Sequence, residues 1–273
     1  MRDDLVVVKG AGDLASGIAY RLVRSGWPVV MTELAQPLVV RRTVSFAEAI
    51  FDGAVSIEGI VGRRVCSPAK AAATARSGGV AVVIDPQART IGELHPPVVV
   101  DAIMAKRNTG TRLDDAPVVI AIGPGFRAPI DAHAVIETNR GHRLGRVILS
   151  GEAEPDTGVP GVVDGHGADR VLRAPADGVF RAARDIGDAV RAGETLGDVE
   201  GVALRCPFDG RLRGLVHDGI VVRAGMKVGD VDPRAAREHC FTISDKALAI
   251  GGGVLEAALY LLDRAPVTPI AIA

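Results

Sequence analysis

Short apolar runs alternate with stretches of helical periodicity in the first part of the chain. Residues 5–8 form one such run, which ends at Gly10-Ala11-Gly12, and helical periodicity then extends from Asp13 to Arg24. A second apolar run, Trp27–Thr32, stops at Glu33. This order predicts a β-α-β unit whose segments are joined by short turns.

The same alternation continues further along the chain. Helices are predicted from Ser45 onward and from Ser67 to Arg76. Extended segments are predicted where short apolar runs are bounded by turn residues, at 54–61, 80–84, 97–106 and 118–122. The segment 97–106 is expected to become helical towards its end. Strands that alternate with helices predict an α/β fold with a Rossmann-like, mostly parallel sheet over residues 1–126.

In the middle of the chain the pattern changes to short alternating runs separated by Gly, Pro and Asp. Residues 132–138 and 144–150 flank a turn and predict a hairpin. We therefore expect a β-rich domain over residues 127–235. Residues 236–273 regain helical periodicity after Ser244, a suitable N-cap, and are expected to form a C-terminal helix that packs back on the core.

One segment of the β-rich region is an internal sequence duplication. Ala174-Pro175-Ala176-Asp177-Gly178 recurs 32 positions later as Cys206-Pro207-Phe208-Asp209-Gly210, and residues 190–199 recur at the same offset as residues 222–231. Two matching blocks at one offset predict a duplicated, pseudo-twofold β unit over residues 174–231, with a Pro-x-Asp-Gly turn in each half.

This duplicated unit resembles the barrel-sandwich hybrid of biotinyl and lipoyl carrier domains. In those domains the modified lysine lies at a hairpin tip, shortly after a Val-Glu or Ile-Glu pair. Here Val199-Glu200 leads to Ala203, so the expected tip lacks the lysine, and Lys227 lies elsewhere in the second half. We therefore expect no biotin or lipoate, and a rigid module that shapes a cleft or an interface.

Composition and charge narrow the classes of partner. The 273 residues carry a net charge of −1, which leaves no electrostatic footprint for nucleic acid or an anionic membrane. Cys66, Cys206 and Cys240 lie far apart without CxxC spacing, as expected for reduced thiols. The chain starts without a signal-peptide pattern, and the longest apolar run, 247–262, is short for a membrane span and contains Glu256. We expect a cytoplasmic protein.

The turn after the first predicted strand carries the candidate ligand site. Gly10-x-Gly12-x-x-Ala15 opens a helix that also holds Gly17, and Glu33 ends the next strand. This context is typical of a nucleotide site, where glycines allow close approach, the helix N-terminus faces an anion and the acid binds a ribose hydroxyl. Asp13 opposes this use, because its carboxylate would repel a pyrophosphate unless it turns away. A Rossmann-like scaffold for another ligand, or for none, stays open.

Other candidate residues are expected at the carboxyl edge of the same sheet, where open α/β sheets bind ligands. Lys106 and Asn108 follow one predicted strand, and Gly123-Pro124-Gly125 follows another. The backbone at Gly123 and Gly125 can form an anion nest. The basic pairs Arg41-Arg42 and Lys106-Arg107 are also compatible with solvated surface charge.

No metal site is expected from the sequence. Asp131 and His133 lie on one face of a predicted strand, about 7 Å apart at a rise of ~3.4 Å per residue, and are weak candidates. Two ligands do not make a metal site, and a polar solvent face explains them more simply. Catalytic residues are unknown, since no serine or cysteine lies in a recognisable nucleophile motif.

Distinctive sequence strings are distributed from one end of the chain to the other. They are residues 9–17, 41–49, 101–106, 123–126, 131–142, 173–178, 229–234 and 240–247. On these strings the chain resembles the YqeB-like family, bacterial accessory proteins of the selenium-dependent molybdenum hydroxylase system. The resemblance implies assistance in maturing or inserting a selenium- or sulfur-modified molybdenum cofactor, and it supplies no catalytic residues.

The resulting hypothesis is a maturation protein that holds a nucleotide-like or molybdopterin-type anionic ligand between residues 10–17, Lys106 and residues 123–125. A molybdenum hydroxylase subunit or another cofactor-maturation protein would be its partner, with no role for nucleic acid or membrane. Two alternatives stay open. One is an NAD(P)-dependent oxidoreductase that uses Glu33 for the ribose, and the other is a non-catalytic protein-binding adaptor.

Overall fold

The computed structural model describes residues 4–159, 161–234 and 236–264, and a nine-stranded sheet dominates it up to residue 148. In chain order the strands of this sheet are β1 Val6–Lys9, β2 Val29–Glu33, β3 Ala54–Ile57, β4 Ile60–Val65, β5 Val80–Ile84, β6 Val98–Asp101, β7 Val118–Ile122, β9 Ala134–Ile136 and β10 Val147–Ile148. A separate two-stranded pairing joins β8 Arg127–Ala128 to β11 Gly151–Glu152. The spatial order is β10-β9-β7-β6-β1-β2-β5-β4-β3, and neighbours run parallel except at the edge strands β3 and β10.

Helices cover both faces of this sheet. They are α1 Asp13–Arg24, α2 Ala49–Asp52, α3 Pro68–Arg76, α4 Thr90–Leu94 and α5 Asp245–Leu262. Val6 and Val8 of β1 pack with α1 and α5, whereas Val7 faces the side covered by α3 and α4. Because both faces are buried, the central strands β1, β5 and β7 are continuous apolar runs, whereas the outer strand β4 alternates between buried and exposed residues. The prediction of a large parallel sheet, further antiparallel strands and a C-terminal helix is confirmed.

The sequence pattern predicted a domain boundary after residue 126, but the large sheet extends beyond that residue. β9 pairs in parallel with β7, and β10 pairs with β9 as the predicted hairpin. Ala134, Val135 and Ile136 are all buried, since helix α5 covers one face of the hairpin and the segment around Ala132 the other. Three residues carry too little periodicity to show that a strand is covered on both faces, so only tertiary packing reveals it.

Two predicted segments take a different local structure. Residues 54–61 form two strands, β3 and β4, which pair antiparallel around Glu58-Gly59. Both turn residues have positive φ, at 44° and 84°, which suits a tight hairpin. The helical end expected for 97–106 is wrong: β6 ends at Asp101, and the left-handed backbone of Met104 and Lys106, with φ of 60° and 61°, prevents a helix.

Helix α5 packs against the rest of the protein through glycines. A Cβ at Gly251 would lie 2.6 Å from the carbonyl oxygen of Gly17 on α1, and one at Gly253 would lie 2.1 Å from that of Gly145. The backbones touch at these positions, so packing accounts for both glycines. Among the described residues no helix, α5 included, is long and apolar enough to cross a bilayer. Residues 265–273 of the predicted C-terminal segment lie outside the described part.

The β-rich unit consists of two four-stranded antiparallel sheets. Its strands are β12 Val171–Arg173, β13 Gly178–Ala182, β14 Ala189–Val190, β15 Thr195–Val199, β16 Val202–Arg205, β17 Gly210–Leu215, β18 Val221–Val222 and β19 Lys227–Asp232. One sheet has the order β12-β19-β17-β14 and the other β16-β15-β13-β18. Leu196, Leu212 and Phe180 are fully buried in the single core between them.

The sequence duplication relates these two sheets to each other. Shifting β13, β14 and β15 by 32 positions gives the starts of β17, β18 and β19, and each strand keeps its place in the sheet order. The hydrogen bonds repeat as well: Asp177 Oδ1 accepts from the Ala224 backbone N–H at 2.7 Å, and Asp209 Oδ1 accepts from that of Ala192 at 2.8 Å. Each half therefore closes the turn of the other half.

The hairpin between β15 and β16 corrects one detail of the carrier comparison. Its tip is Glu200-Gly201, where both residues have positive φ, at 50° and 81°. Ala203 lies within β16 and pairs with Asp198 of β15. The expected tip at Ala203 is therefore wrong, because a two-residue turn reverses the chain earlier than the spacing from Val199 suggests.

Candidate functional site

A cleft of about 630 Å³ opens at the carboxyl ends of β1, β2 and β6, and we call it the glycine-turn cleft. Five predicted ligand residues line it: Gly10, Gly12, Asp13, Ala15 and Glu33. β2 lies on one side of β1 and β6 on the other, so the strand order reverses at this point. Ligands of open α/β sheets bind at such reversals, because the connecting loops diverge and leave a crevice.

The backbone of the glycine turn is fixed by neighbouring groups. Gly10 has a φ of +91°, and a Cβ there would lie 3.0 Å from the Ala102 carbonyl oxygen, so only glycine fits without strain. Glu33 accepts hydrogen bonds from the Ala11 N–H at 2.9 Å and the Leu34 N–H at 2.7 Å. Burial raises the pKa of Glu33, and these two hydrogen bonds act in the opposite direction. The acid expected to bind a ribose thus also anchors the turn.

Exposed aliphatic side chains form the rim of the glycine-turn cleft. Leu34, Leu38 and Ile103 line it with exposed fractions of 46%, 49% and 43%. Large apolar side chains that remain exposed together at a concave surface commonly mark a binding site. Such a rim suits the flat, apolar face of a heterocyclic ring.

Asp13 is partly compensated by a cation. Gly12 is the N-cap of α1 and Asp13 its first helical residue, so the N-cap itself offers no side chain to the helix. Arg41 Nη1 lies 3.7 Å from Asp13 Oδ2, and the Arg41 side chain is 11% exposed. The Arg41 guanidinium therefore offsets the repulsion that Asp13 would exert on a bound anion. From the sequence alone, Arg41 was also compatible with solvated surface charge.

The other predicted ligand residues do not line this cleft. Gly17 is buried against α5, where a Cβ would lie 2.6 Å from that of Ala247. Lys106 forms an exposed ion pair with Asp156 at 2.6 Å. Asn108 closes its own loop by accepting from the N–H groups of Gly110 and Thr111 at 2.8 Å.

Gly123 and Gly125 likewise allow close packing of neighbouring segments, and they do not form an anion nest that opens to the glycine-turn cleft. A Cβ at Gly123 would lie 2.8 Å from Thr138 Oγ1, and one at Gly125 would lie 2.5 Å from the Arg107 backbone. Both glycines have positive φ, at 76° and 100°. Since their free faces are filled by neighbouring segments, close packing explains the choice of glycine.

Asp131 and His133, the weak metal candidates, hold backbone groups. Asp131 Oδ2 accepts from the Arg127 N–H at 2.8 Å, and His133 Nδ1 accepts from the Val119 N–H at 2.9 Å. Burial lowers the pKa of His133, which keeps the ring neutral and able to accept that bond. Both side chains therefore tie the start of β9 to its neighbours.

A buried ion pair lies beneath the glycine turn and was not singled out from the sequence. Lys9 Nζ lies 3.2 Å from Asp101 Oδ2, and the two side chains are 9% and 1% exposed. Thr111 joins them, accepting from Lys9 and donating to Asp101. Lys9 ends β1 and Asp101 ends β6 in register, so the pair fixes the two strands that flank the cleft.

A second cleft of about 570 Å³, which we call the basic cleft, lies between the large sheet, the β-rich unit and the start of α5. Seven cationic side chains line it: Arg41, Arg140, Arg170, Arg213, Lys227, Arg234 and Lys246. Among the described residues three carboxylates line it, Asp13, Asp230 and Asp245, and Asp232 lies against Arg213 and Arg234. The cleft therefore has a surplus of positive charge, although the whole chain is nearly neutral.

Several donors in the basic cleft lack partners. Buried side-chain nitrogens of Arg41, Arg170, Arg213 and His239 have no hydrogen-bond acceptor among the described residues. Lys246 is half-buried in the first turn of α5, and burial together with the nearby Arg140 lowers the pKa of its ammonium group. These nitrogens are too enclosed for a ligand to reach, and Arg213 Nε lies 3.7 Å from Asp232 Oδ2, so the surplus of cationic side chains is what suits the cleft to an anion with several acceptor oxygens.

The two clefts adjoin each other. Their shared lining residues are Asp13, Leu14, Arg41, Lys227 and Asp230. Residues of the basic cleft come from segments as distant as Arg41 and Lys246, and each is an ordinary surface residue in its own segment. No local pattern marks them, and only Arg41 lay next to a predicted feature of the site.

Sequence comparison gives one informative relative. The chain is 50% identical over 260 residues to the uncharacterized protein YqeB of Escherichia coli (strain K12). The alignment covers 95% of this chain and 48% of YqeB, so the chain spans about half the length of that relative. The chain is therefore similar to YqeB over about half of that protein. No protein-family model matches the chain.

Comparison with solved structures finds only distant similarity. A succinylglutamate desuccinylase/aspartoacylase from Rhodobacter sphaeroides matches 24% of this chain and 22% of its own at 31% identity, with a TM-score of 0.22. An aspartoacylase family protein from Mesorhizobium loti matches 85% of this chain and 86% of its own at 13% identity, with a TM-score of 0.27. Superpositions at these scores carry no conclusion about function.

Proposed function

We propose that the protein binds an anionic, nucleotide-like or molybdopterin-type ligand across the two joined clefts. The observation that carries this proposal is that the two clefts share five lining residues, so that an apolar rim at the glycine turn lies beside a cavity lined by seven cations and three carboxylates. A ligand with a flat ring at one end and a phosphate or pyrophosphate at the other matches that division.

The residues present fit a phosphate group. Seven cationic side chains line the basic cleft, and a bound anion would stabilise the charged form of Lys246, whose pKa burial lowers. The N-terminus of α5 opens into the same cavity, and its dipole adds to the attraction for an anion. A molybdopterin-type group, when bound, would present its phosphate to these donors and its ring system to the aliphatic rim.

Within this proposal the large sheet and the β-rich unit are each assigned to a known type of fold. The parallel strands around the glycine turn support a Rossmann-like sheet, with the ligand at the reversal of strand order. The two four-stranded sheets related by the duplication support a barrel-sandwich hybrid. Lys227 and Asp230 of β19 line both clefts, so this module forms a wall of the site rather than a carrier arm.

The biological role that we propose is maturation of a selenium-dependent molybdenum hydroxylase in the cytoplasm. The support is the set of sequence strings shared with the YqeB-like family and the 50% identity to YqeB. A hydroxylase subunit or another maturation protein would be the partner. Deleting the gene should lower the molybdenum-cofactor content of the hydroxylase, and the wild-type chain should restore it.

Thermal unfolding with defined probes tests the ligand site. Pyrophosphate and CTP should raise the Tm of the wild type, and added salt should weaken the effect because the attraction is electrostatic. Lys246→Gln should reduce both shifts. Lys70→Gln is the matched control, since Lys70 occupies the first turn of α3 but is exposed and lines neither cleft.

Other results of the same experiment would favour the competing functions. A Tm increase with NADH or NADPH that Glu33→Ala abolishes would favour an oxidoreductase. The absence of any shift with the four probes, combined with stable binding of a purified hydroxylase subunit, would favour an adaptor. Equal pyrophosphate shifts in the wild type and Lys246→Gln would refute the basic cleft as the anion site.

A further inference from the structure

A cluster of three potential metal ligands lies where the β-rich unit meets the large sheet. Glu48, Asp52 and His217 each place a potential ligand atom within 4.8 Å of the other two. Glu48 precedes α2 and Asp52 ends it, whereas His217 follows β17. The cluster thus draws its members from two parts of the fold.

The orientation of the His217 ring is fixed. Its Nδ1 lies 2.7 Å from the carbonyl oxygen of Asp218, and its ring stacks on Phe51 with centroids 4.0 Å apart. A carbonyl oxygen only accepts, so Nδ1 carries the proton and the neutral ring keeps its lone pair on Nε2. Metal-binding histidines are commonly oriented in this way, with the non-ligating nitrogen donating to a carbonyl.

The free lone pair of His217 points at carboxylates. Nε2 lies 3.9 Å from Glu48 Oε1, and the Glu48 side chain is 7% exposed. Two acceptors that face each other repel unless a cation lies between them. Arg42 Nη1 lies 3.1 Å from the same oxygen and balances the charge of Glu48. The carboxylate of Asp52 then gives the cluster a net negative charge.

We propose that Glu48, Asp52 and His217 bind a divalent transition-metal ion, with Zn²⁺ as the best match to one imidazole and two carboxylates. Ligands at about 2.0–2.1 Å in a tetrahedral site lie ~3.4 Å from one another, and rotation of the exposed Asp52 side chain closes the present gap. The ion would clamp the β-rich unit to the sheet, next to the Leu215 N–H that donates to the Val40 carbonyl at 2.8 Å.

Zinc binding to untagged, chelator-treated full chain tests this proposal. Titration calorimetry and elemental analysis after desalting should give one Zn²⁺ per chain, and Zn²⁺ should raise Tm. Asp52→Asn and His217→Gln should each weaken binding at least tenfold. Asp52 is exposed, so Asp52→Asn should fold normally, as far-UV circular dichroism can show. Hydrogen exchange near Leu215 should slow on addition of Zn²⁺.

The chain contains a matched control for the histidine. His166 also stacks on a phenylalanine, Phe208, with centroids 3.8 Å apart, and contacts one carboxylate, that of Asp169. It belongs to no three-ligand group among the described residues. His166→Gln should therefore bind Zn²⁺ like the wild type. The proposal fails if the wild type retains no zinc, which is the result expected if His217 Nε2 binds only a proton. It also fails if Asp52→Asn binds Zn²⁺ as tightly as the wild type does.

Discussion

The contact between α5 and the hairpin β9–β10 makes a sharp prediction at Gly253. An alanine there would place Cβ 2.1 Å from the Gly145 carbonyl oxygen and 3.0 Å from Ile136 Cγ2. The nearest atom belongs to the backbone and cannot rotate away, so the helix has to move by about 1 Å to restore contact distance. Overpacking of this kind costs about 1–3 kcal/mol or more, whereas better helix propensity returns about 1 kcal/mol at most.

Gly252 is the matched control one residue earlier. It lies in the same helix, and a Cβ there would meet nothing within 4 Å. Gly252→Ala should therefore stabilise the protein by about 0.5–1 kcal/mol and raise Tm by roughly 1–4 °C. Gly253→Ala, with a net cost of about 1–2 kcal/mol, should lower Tm by roughly 2–8 °C in the same circular-dichroism melt.

The two variants separate packing from helix propensity. If Gly253→Ala melted at or above the wild-type temperature, the close approach of α5 to Gly145 would be refuted. If both variants lowered Tm equally, the glycines would serve backbone flexibility rather than packing, and the account of α5 would be wrong.

Three further predictions concern charged and hydrogen-bonded groups. Asp101→Asn leaves the Lys9 ammonium buried without its counter-ion, so urea unfolding should show a loss of about 3–5 kcal/mol, and a loss below 1 kcal/mol would contradict the buried pair. Asp177→Ala and Asp209→Ala remove equivalent hydrogen bonds of the duplicated unit and should lower Tm by similar amounts, whereas clearly unequal losses would argue against the pseudo-twofold relation. Hydrogen bonds from Arg140 lower the pKa of Asp245 from 3.8 to about 2, so their contribution is complete above pH ~4 and is lost as the pH falls towards 2. Melts between pH 2 and 5 should therefore decline less steeply in Arg140→Gln than in the wild type, and parallel profiles would contradict this assignment.

The sequence determined the elements whose signals are local. Helix α1 spans Asp13–Arg24 and α3 ends at Arg76, as periodicity and capping predicted, and β5 and β7 match their apolar runs. The duplication was also visible, because it is a repeat of residue types at a fixed offset. These features depend on residues close in the chain, or on a pattern that survives without knowledge of contacts.

Half of the predicted ligand site followed from the same local signals. The glycine turn and Glu33 line one cleft because a strand, a tight turn and a helix fix their relative positions over a short stretch of chain. Gly17, Gly123 and Gly125 were assigned to ligand binding, but a glycine chosen for close packing has the same sequence signature as one chosen for close approach of a ligand.

Tertiary structure alone decided the charged sites. The basic cleft joins Arg41 and Arg213 to Lys246, and the proposed metal site joins Asp52 to His217, across separations that carry no periodic signal. Their positions depend on how the β-rich unit and α5 pack against the large sheet. Burial then changes the electrostatics of each residue, because a cation that would be solvated on an isolated helix is stabilised by a counter-ion when its neighbours exclude water.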